Sequence, residues 1–198
     1  MCMPIFRDSI AYDQVRIVNA IHESQLKALP PGVITDSAKP FIFFPPDLKK
    51  RPVNYFHYQE DFSSPSYIGG YVNFVKMLFI HEMTHIWQRM LWRYYVLETP
   101  SKEDSDPDAW TYNEKDKKWK FNSYYVPWMK GERPKPFSAH NHEQQAEIIA
   151  GYFAMTRLDV IPQAIKRNYI LEVISPVLSN PKDKKLLPFN AKLLFGTR

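Results

Sequence analysis

The longest regular pattern in the chain begins at Tyr71, where YVNFVKMLFIHEMTHIWQRMLWRYYVLE runs without Gly or Pro until Pro100. Val72, Val75, Leu78, Phe79 and Ile86 recur at helical spacing, and Gly69-Gly70 and Thr99-Pro100 supply a break at either end. A long and very apolar helix is predicted there. Asp8 to Leu29 places Ile10, Val15, Val18 and Ile21 ahead of the stop Pro30-Pro31-Gly32, which predicts a first amphipathic helix. Val33-Ile34 and Phe41-Ile42-Phe43-Phe44 are short β-prone runs closed by Pro45-Pro46 and predict one or two strands. Residues 52 to 66 have no clear period and read as loop. Helical spacing returns over His142 to Leu158 and over Gln163 to Leu178, the latter stopped by Ser179-Asn180-Pro181. The fold class that follows is mainly α with a small β element.

Composition limits what such a chain does. With 44% hydrophobic and 15% aromatic residues over 198 positions, it can bury one sizeable core, so residues 1–198 are expected to form a single domain. Ser101 to Lys120, SKEDSDPDAWTYNEKDKKWK, is the most charged and least periodic part and reads as a mobile insertion. Phe121 to Pro136 is rich in Tyr, Trp and Pro, suited to lining a groove or covering the core. The net charge of +5 is modest, and its Lys and Arg residues are dispersed or sit in short polar loops such as Lys49-Lys50-Arg51. No helix carries a one-sided basic stripe, so no nucleic-acid partner is expected. Apolar stretches such as Met77 to Ile80 are too short for a membrane span. The first residues, Met1-Cys2-Met3-Pro4-Ile5-Phe6-Arg7, lack the basic start and long apolar run of a signal peptide. Cys2 is the lone cysteine, which leaves no internal disulfide and directs any metal to His and carboxylate ligands.

The chemistry concentrates in His81-Glu82-Met83-Thr84-His85, in the middle of the long helix. Residues i and i+4 stand one above the other on a helix face, so both imidazoles reach a single ion. Glu82 lies one residue round the helix, placed to take a proton from a water activated at that ion. Two histidines and a carboxylate on so apolar a helix are costly to bury without a strong partner, and a metal is such a partner.

A zinc site needs a third protein ligand. The later helix offers His140-Asn141-His142-Glu143-Gln144-Gln145-Ala146-Glu147. In the glutamate-zincin arrangement a second helix packs on the HExxH helix and supplies a Glu ligand, often with an acidic residue four positions on that orients a zinc histidine. Glu143 and Glu147 have that spacing. With Glu143 as ligand, Glu147 becomes the orienting carboxylate and Ala146 lets the helices approach. With Glu147 as ligand, the orienting position falls on Gly151, which has no side chain. The first register is preferred, and His140 and His142 stand as outside candidates for a three-histidine site.

FIHEMTHIWQ at Phe79 to Gln88, followed by HEQQAEIIAGYF at His142 to Phe153, resembles the zinc metallopeptidase domains of bacterial polymorphic toxins. The similarity is notably to those at the C-termini of VgrG spike proteins of type VI secretion systems. The HExxH core is shared by many zincins; Trp87-Gln88 and the block from Glu143 to Glu147 are narrower signals. The resemblance implies a zincin-like fold, one Zn2+ ion, a protein or peptide substrate, and an antibacterial effector. That effector would be cytoplasmic in the producing cell, carried out by the secretion machine without a signal peptide, and active in the target-cell periplasm. A secretion spike or carrier and a cognate immunity protein are the implied partners.

The expected reaction is hydrolysis of a peptide bond by water activated at zinc, with His81, His85 and Glu143 holding the ion and Glu82 moving the proton. A further donor to the developing oxyanion is expected from His140, Tyr124 or Tyr125. The rival activities are a zinc amidase acting on cell-wall peptide and a non-catalytic toxin or binding domain that keeps the fold.

Overall fold

The computed structural model describes residues 1–21, 34–36, 39–45, 71–91, 110–113, 118–121, 126, 134–160 and 164–188. Within them the chain is mainly helical, with helices α1 (Met3–Phe6), α2 (Tyr71–Leu91), α3 (His142–Arg157) and α4 (Ala164–Ser179). Five short strands accompany them: β1 (Arg16–Asn19), β2 (Ile34–Thr35), β3 (Phe41–Phe44), β4 (Trp110–Asn113) and β5 (Lys118–Phe121). Among the described residues no helix is long and apolar enough to cross a membrane.

Helix α2 is the centre of the core. Residues 80 to 88 are all buried, so this segment has no solvent face. Ile80, Ile86 and Trp87 are fully buried, and each such side chain contributes about 1.5–3 kcal/mol relative to exposure. That gain offsets the burial of His81, Glu82 and His85 on the same turns, provided those groups find hydrogen-bonding partners. Trp87 also donates from its indole Nε1 to the Pro181 carbonyl at 2.8 Å and lies beside Phe6 and Phe137, with centroids 5.8 and 6.2 Å away. It ties α2 to the chain's start and to the turn after α4.

Helix α3 packs along α2, and α4 packs on α3. Ala146 is fully buried and Ala150 nearly so, which brings α3 close to its neighbours. Gly151 serves the second contact: a Cβ there would lie 2.8 Å from Cδ1 of Ile170 on α4. The residue that offers no carboxylate to the site therefore makes room for Ile170 of α4.

The three-stranded sheet has the order β1-β3-β2, with β1 parallel and β2 antiparallel to β3. Ile34 pairs with Phe43 and Thr35 with Ile42, and β2 and β3 both touch α2. One expectation is corrected here. Asp8 to Leu29 is not a helix in its described part: short 3-10 turns at Arg7–Ser9 and Tyr12–Gln14 lead into β1, which runs beside β3 from Arg16↔Phe41 to Asn19↔Phe44. At the end of Ser101 to Lys120, which reads as a mobile insertion, Trp110–Asn113 pairs antiparallel with Lys118–Phe121. Residues 52 to 66, the helical continuation over 92–98 and most of 121–136 lie outside the described residues.

Candidate metal centre

The site forms where α2 and α3 face each other. His81 and His85 stack one turn apart on α2, with ring centroids 4.9 Å apart in an edge-on arrangement. Their Nε2 atoms lie 3.2 Å from each other. Glu143 closes the group, its Oε2 standing 3.0 Å from His81 Nε2 and 3.3 Å from His85 Nε2. These three residues are the group among the described residues whose ligand atoms converge tightly enough to hold an ion.

The start of α3 explains how Glu143 gets there. Asn141 caps the helix by accepting from the Gln144 backbone N–H at 2.8 Å, and Gln144 Oε1 accepts from the Asn141 N–H at 3.0 Å. This reciprocal capping box fixes the first helical residue as His142. Glu143 then falls in the first turn, where the positive end of the helix favours a carboxylate.

Each member of the group is held from behind. The Nδ1 of His81 faces Glu147 Oε1 at 3.1 Å, so Glu147 meets the far side of the ring rather than the shared point. His85 Nδ1 faces Gln88 Oε1 at 3.0 Å. Glu143 turns its other oxygen, Oε1, to His142 Nε2 at 3.3 Å. Thr35, on the edge strand β2, donates to Glu82 Oε2 at 2.6 Å. His142, an outside candidate for a third histidine ligand, meets Glu143 from behind and does not point to the shared position. Gln88 and Thr35 are contacts of the site that helix periodicity does not single out; they emerge from tertiary packing, although Gln88 stands within the block that carries the resemblance.

The electrostatics favour a cation at the shared point. Burial disfavours charge on His81, but hydrogen bonds to Glu143 and Glu147, together with the charge of Glu82, overcome it and raise its pKa to about 10. His85 is raised in the same way, with burial opposed mainly by the Glu143 charge. Burial opposes ionisation of Glu143, yet His85 and the hydrogen bonds from His142 and His81 hold it well below the usual carboxylate range. Two imidazoles and an ionised carboxylate aimed at one point are stabilised by protons or by a metal ion.

The donor separations fit a metal. A tetrahedral ion with ligands about 2.0–2.1 Å away sets its donor atoms about 3.3 Å apart. The three separations here are 3.0, 3.2 and 3.3 Å. Two imidazole nitrogens and a carboxylate oxygen are also a donor set that suits zinc.

The remaining sequence candidates fall elsewhere. His140 is buried with both ring nitrogens engaged: Nδ1 faces the carbonyls of Pro136 and Phe137 at 3.1 and 3.3 Å, and Nε2 lies 2.7 Å from the Tyr169 hydroxyl. With Nδ1 donating and Nε2 accepting from Tyr169, this imidazole joins the turn before α3 to α4 and has no free N–H for an oxyanion. That is a correction to its expected role, and it follows from burial forcing both nitrogens to find partners. Tyr124 and Tyr125 lie outside the described residues. No protein-family profile, curated protein or solved structure matches this chain.

Proposed function

We propose that this chain is a zinc-dependent metallopeptidase of the zincin type, with His81, His85 and Glu143 as the ligands of one ion. The observation that carries the reading is the convergence of two Nε2 atoms and one carboxylate oxygen at 3.0–3.3 Å, beside a buried glutamate on the same helix. An ion held there supplies Lewis acidity, which makes water nucleophilic near neutral pH and polarises a carbonyl.

The chain's own residues do the rest. Glu82 takes the proton that water loses as it attacks the scissile carbon, and passes it to the leaving amine nitrogen as the C–N bond breaks. Thr35 holds the carboxylate of Glu82 in place between these steps. Glu147 and Gln88 keep the Nε2 atoms of His81 and His85 turned to the shared point. His142 occupies one oxygen of Glu143 and leaves the other for the ion.

The biological setting proposed is that of an antibacterial type VI secretion effector acting on protein in the target-cell periplasm, and it rests on the resemblance of the two motif blocks. Metal analysis of the purified protein, combined with cleavage of unfolded protein and of peptidoglycan, tests the reading. Stoichiometric zinc with peptide-bond cleavage that disappears in Glu82→Gln supports it. Cleavage of peptidoglycan alone moves the assignment to a cell-wall amidase, and turnover that survives Glu82→Gln overturns the mechanism.

A further inference from the structure

Behind His85 runs a buried chain of amides that crosses three segments of the fold. Gln145 on α3 donates from Nε2 to two backbone carbonyls, Phe137 at 3.1 Å and Leu186 at 2.8 Å. Carbonyls only accept, so the amide of Gln145 has one orientation, with Oε1 turned away from them. That oxygen accepts from Gln88 Nε2 at 2.9 Å, and the second Gln88 N–H goes to the His142 carbonyl at 3.1 Å. With both its protons used, Gln88 has only Oε1 left to face His85 Nδ1, at 3.0 Å. An oxygen there requires the proton on Nδ1. Gln88 and Gln145 are both fully buried, so water does not compete for these bonds.

We infer that Gln88 and Gln145 form a relay that keeps a proton on His85 Nδ1 and fixes the tilt of the ring, so that Nε2 is the atom aimed at the metal position before the metal arrives. The inference rests on the metal-site reading above and assigns positioning roles to two glutamines that touch neither ion nor substrate. The direction of every bond in the relay is set by backbone carbonyls at its far end, in the turns Phe137–Ala139 and Lys184–Leu186. An acidic partner for His85 would set the same proton position at the expense of one more buried charge beside Glu82 and Glu143. The neutral relay avoids that charge and binds the turn after α4 to the site.

The test uses the full chain with 15N-labelled histidine, loaded with 113Cd in place of zinc. The relay predicts that His85 shows scalar coupling from cadmium to Nε2 and a slowly exchanging proton on Nδ1. Near-isosteric Gln88→Met, checked for fold by circular dichroism without metal, should bind zinc about 10- to 100-fold more weakly and exchange the Nδ1 proton faster. Gln145→Met, one hydrogen bond further along the relay, should show the same faster exchange. Coupling through Nδ1, or a folded Gln88→Met protein with wild-type zinc affinity, overturns the relay and leaves the metal site standing. Failure of the wild-type protein to take up cadmium or zinc overturns both.

Discussion

His81 and Glu147 meet through Nδ1 and Oε1 at 3.1 Å, on the side of the imidazole that faces away from Glu143. The two carboxylates four residues apart on α3 therefore do different work on one ring. Glu143 shares the point between the histidines, and Glu147 accepts the proton of the nitrogen opposite. Glu147→Ala should leave zinc bound but with an affinity about 10- to 100-fold lower, whereas Glu143→Ala should remove most of the metal. Chelator competition on the two variants separates them, and equal losses would contradict the assignment.

Glu82 and Thr35 give a second prediction. Glu82→Gln keeps the size of the side chain but cannot take a proton, so zinc should stay bound while turnover falls by about 10^2–10^4. Thr35→Val removes the 2.6 Å hydrogen bond to Glu82 without touching the ligands. It should lower turnover about tenfold, or ~1.4 kcal/mol in the barrier, with unchanged zinc content. Steady-state kinetics on metal-quantified protein reads both.

The raised pKa of His81 makes metal uptake dependent on pH. Its folded value of about 10 lies above the ordinary 6.5. The charged ring therefore supports the metal-free fold fully below about pH 6.5, and this support fades as pH rises through 10. Coordination needs the neutral ring, so binding expels a proton below pH 10. The rise in Tm on adding zinc should widen steadily as pH rises toward 10 and level off there, with apparent affinity climbing about tenfold per pH unit below it from this group. Calorimetry in buffers of different ionisation enthalpy measures the released proton. A Tm gain that stays flat across this window would refute the coupling.

Gly151 and Ile170 offer a test of packing alone. Gly151→Ala gains about 1 kcal/mol of helix propensity but forces a methyl into the Cδ1 of a fully buried Ile170, at about 1–3 kcal/mol. The single variant should be less stable than the wild type. Ile170→Val removes the clashing carbon, so it should cost less in the Gly151→Ala background than alone. A double-mutant cycle by urea unfolding gives the coupling, and strict additivity would mean that the close approach carries no energy.

The helices that build the site are legible in the chain because their apolar residues repeat at helical spacing. The expected spans His142–Leu158 and Gln163–Leu178 appear as His142–Arg157 and Ala164–Ser179. The residues of the candidate metal group were picked out by the chain too, since His81, His85 and Glu143 each sit on such a helix at a spacing with chemical meaning, and the fold brings them together. The segment from Asp8 was not. Ile10, Val15 and Val18 fit a helical face, yet Ile17 and Val18 lie in a strand because β3 stands alongside to pair with them, and that partner is 25 residues away along the ladder. Glu147 behind His81 was expected from its spacing to Glu143, but the contacts of Thr35 and the two glutamines were hidden for a similar reason. Thr35 reaches Glu82 across 47 positions, and Gln145 reaches Gln88 across 57. No local period records such pairings.

The capping box at Asn141 and Gln144 has a kinetic meaning. Glu143 is the one member of the candidate metal group held by a terminal turn; the two histidines stand within α2 on a buried stretch. Helix ends open with far less free energy than helix centres. Were an ion bound by these three residues, fraying of that single turn would give it a way out while the core stays folded, and the two hydrogen bonds at Asn141 would set how often that door swings.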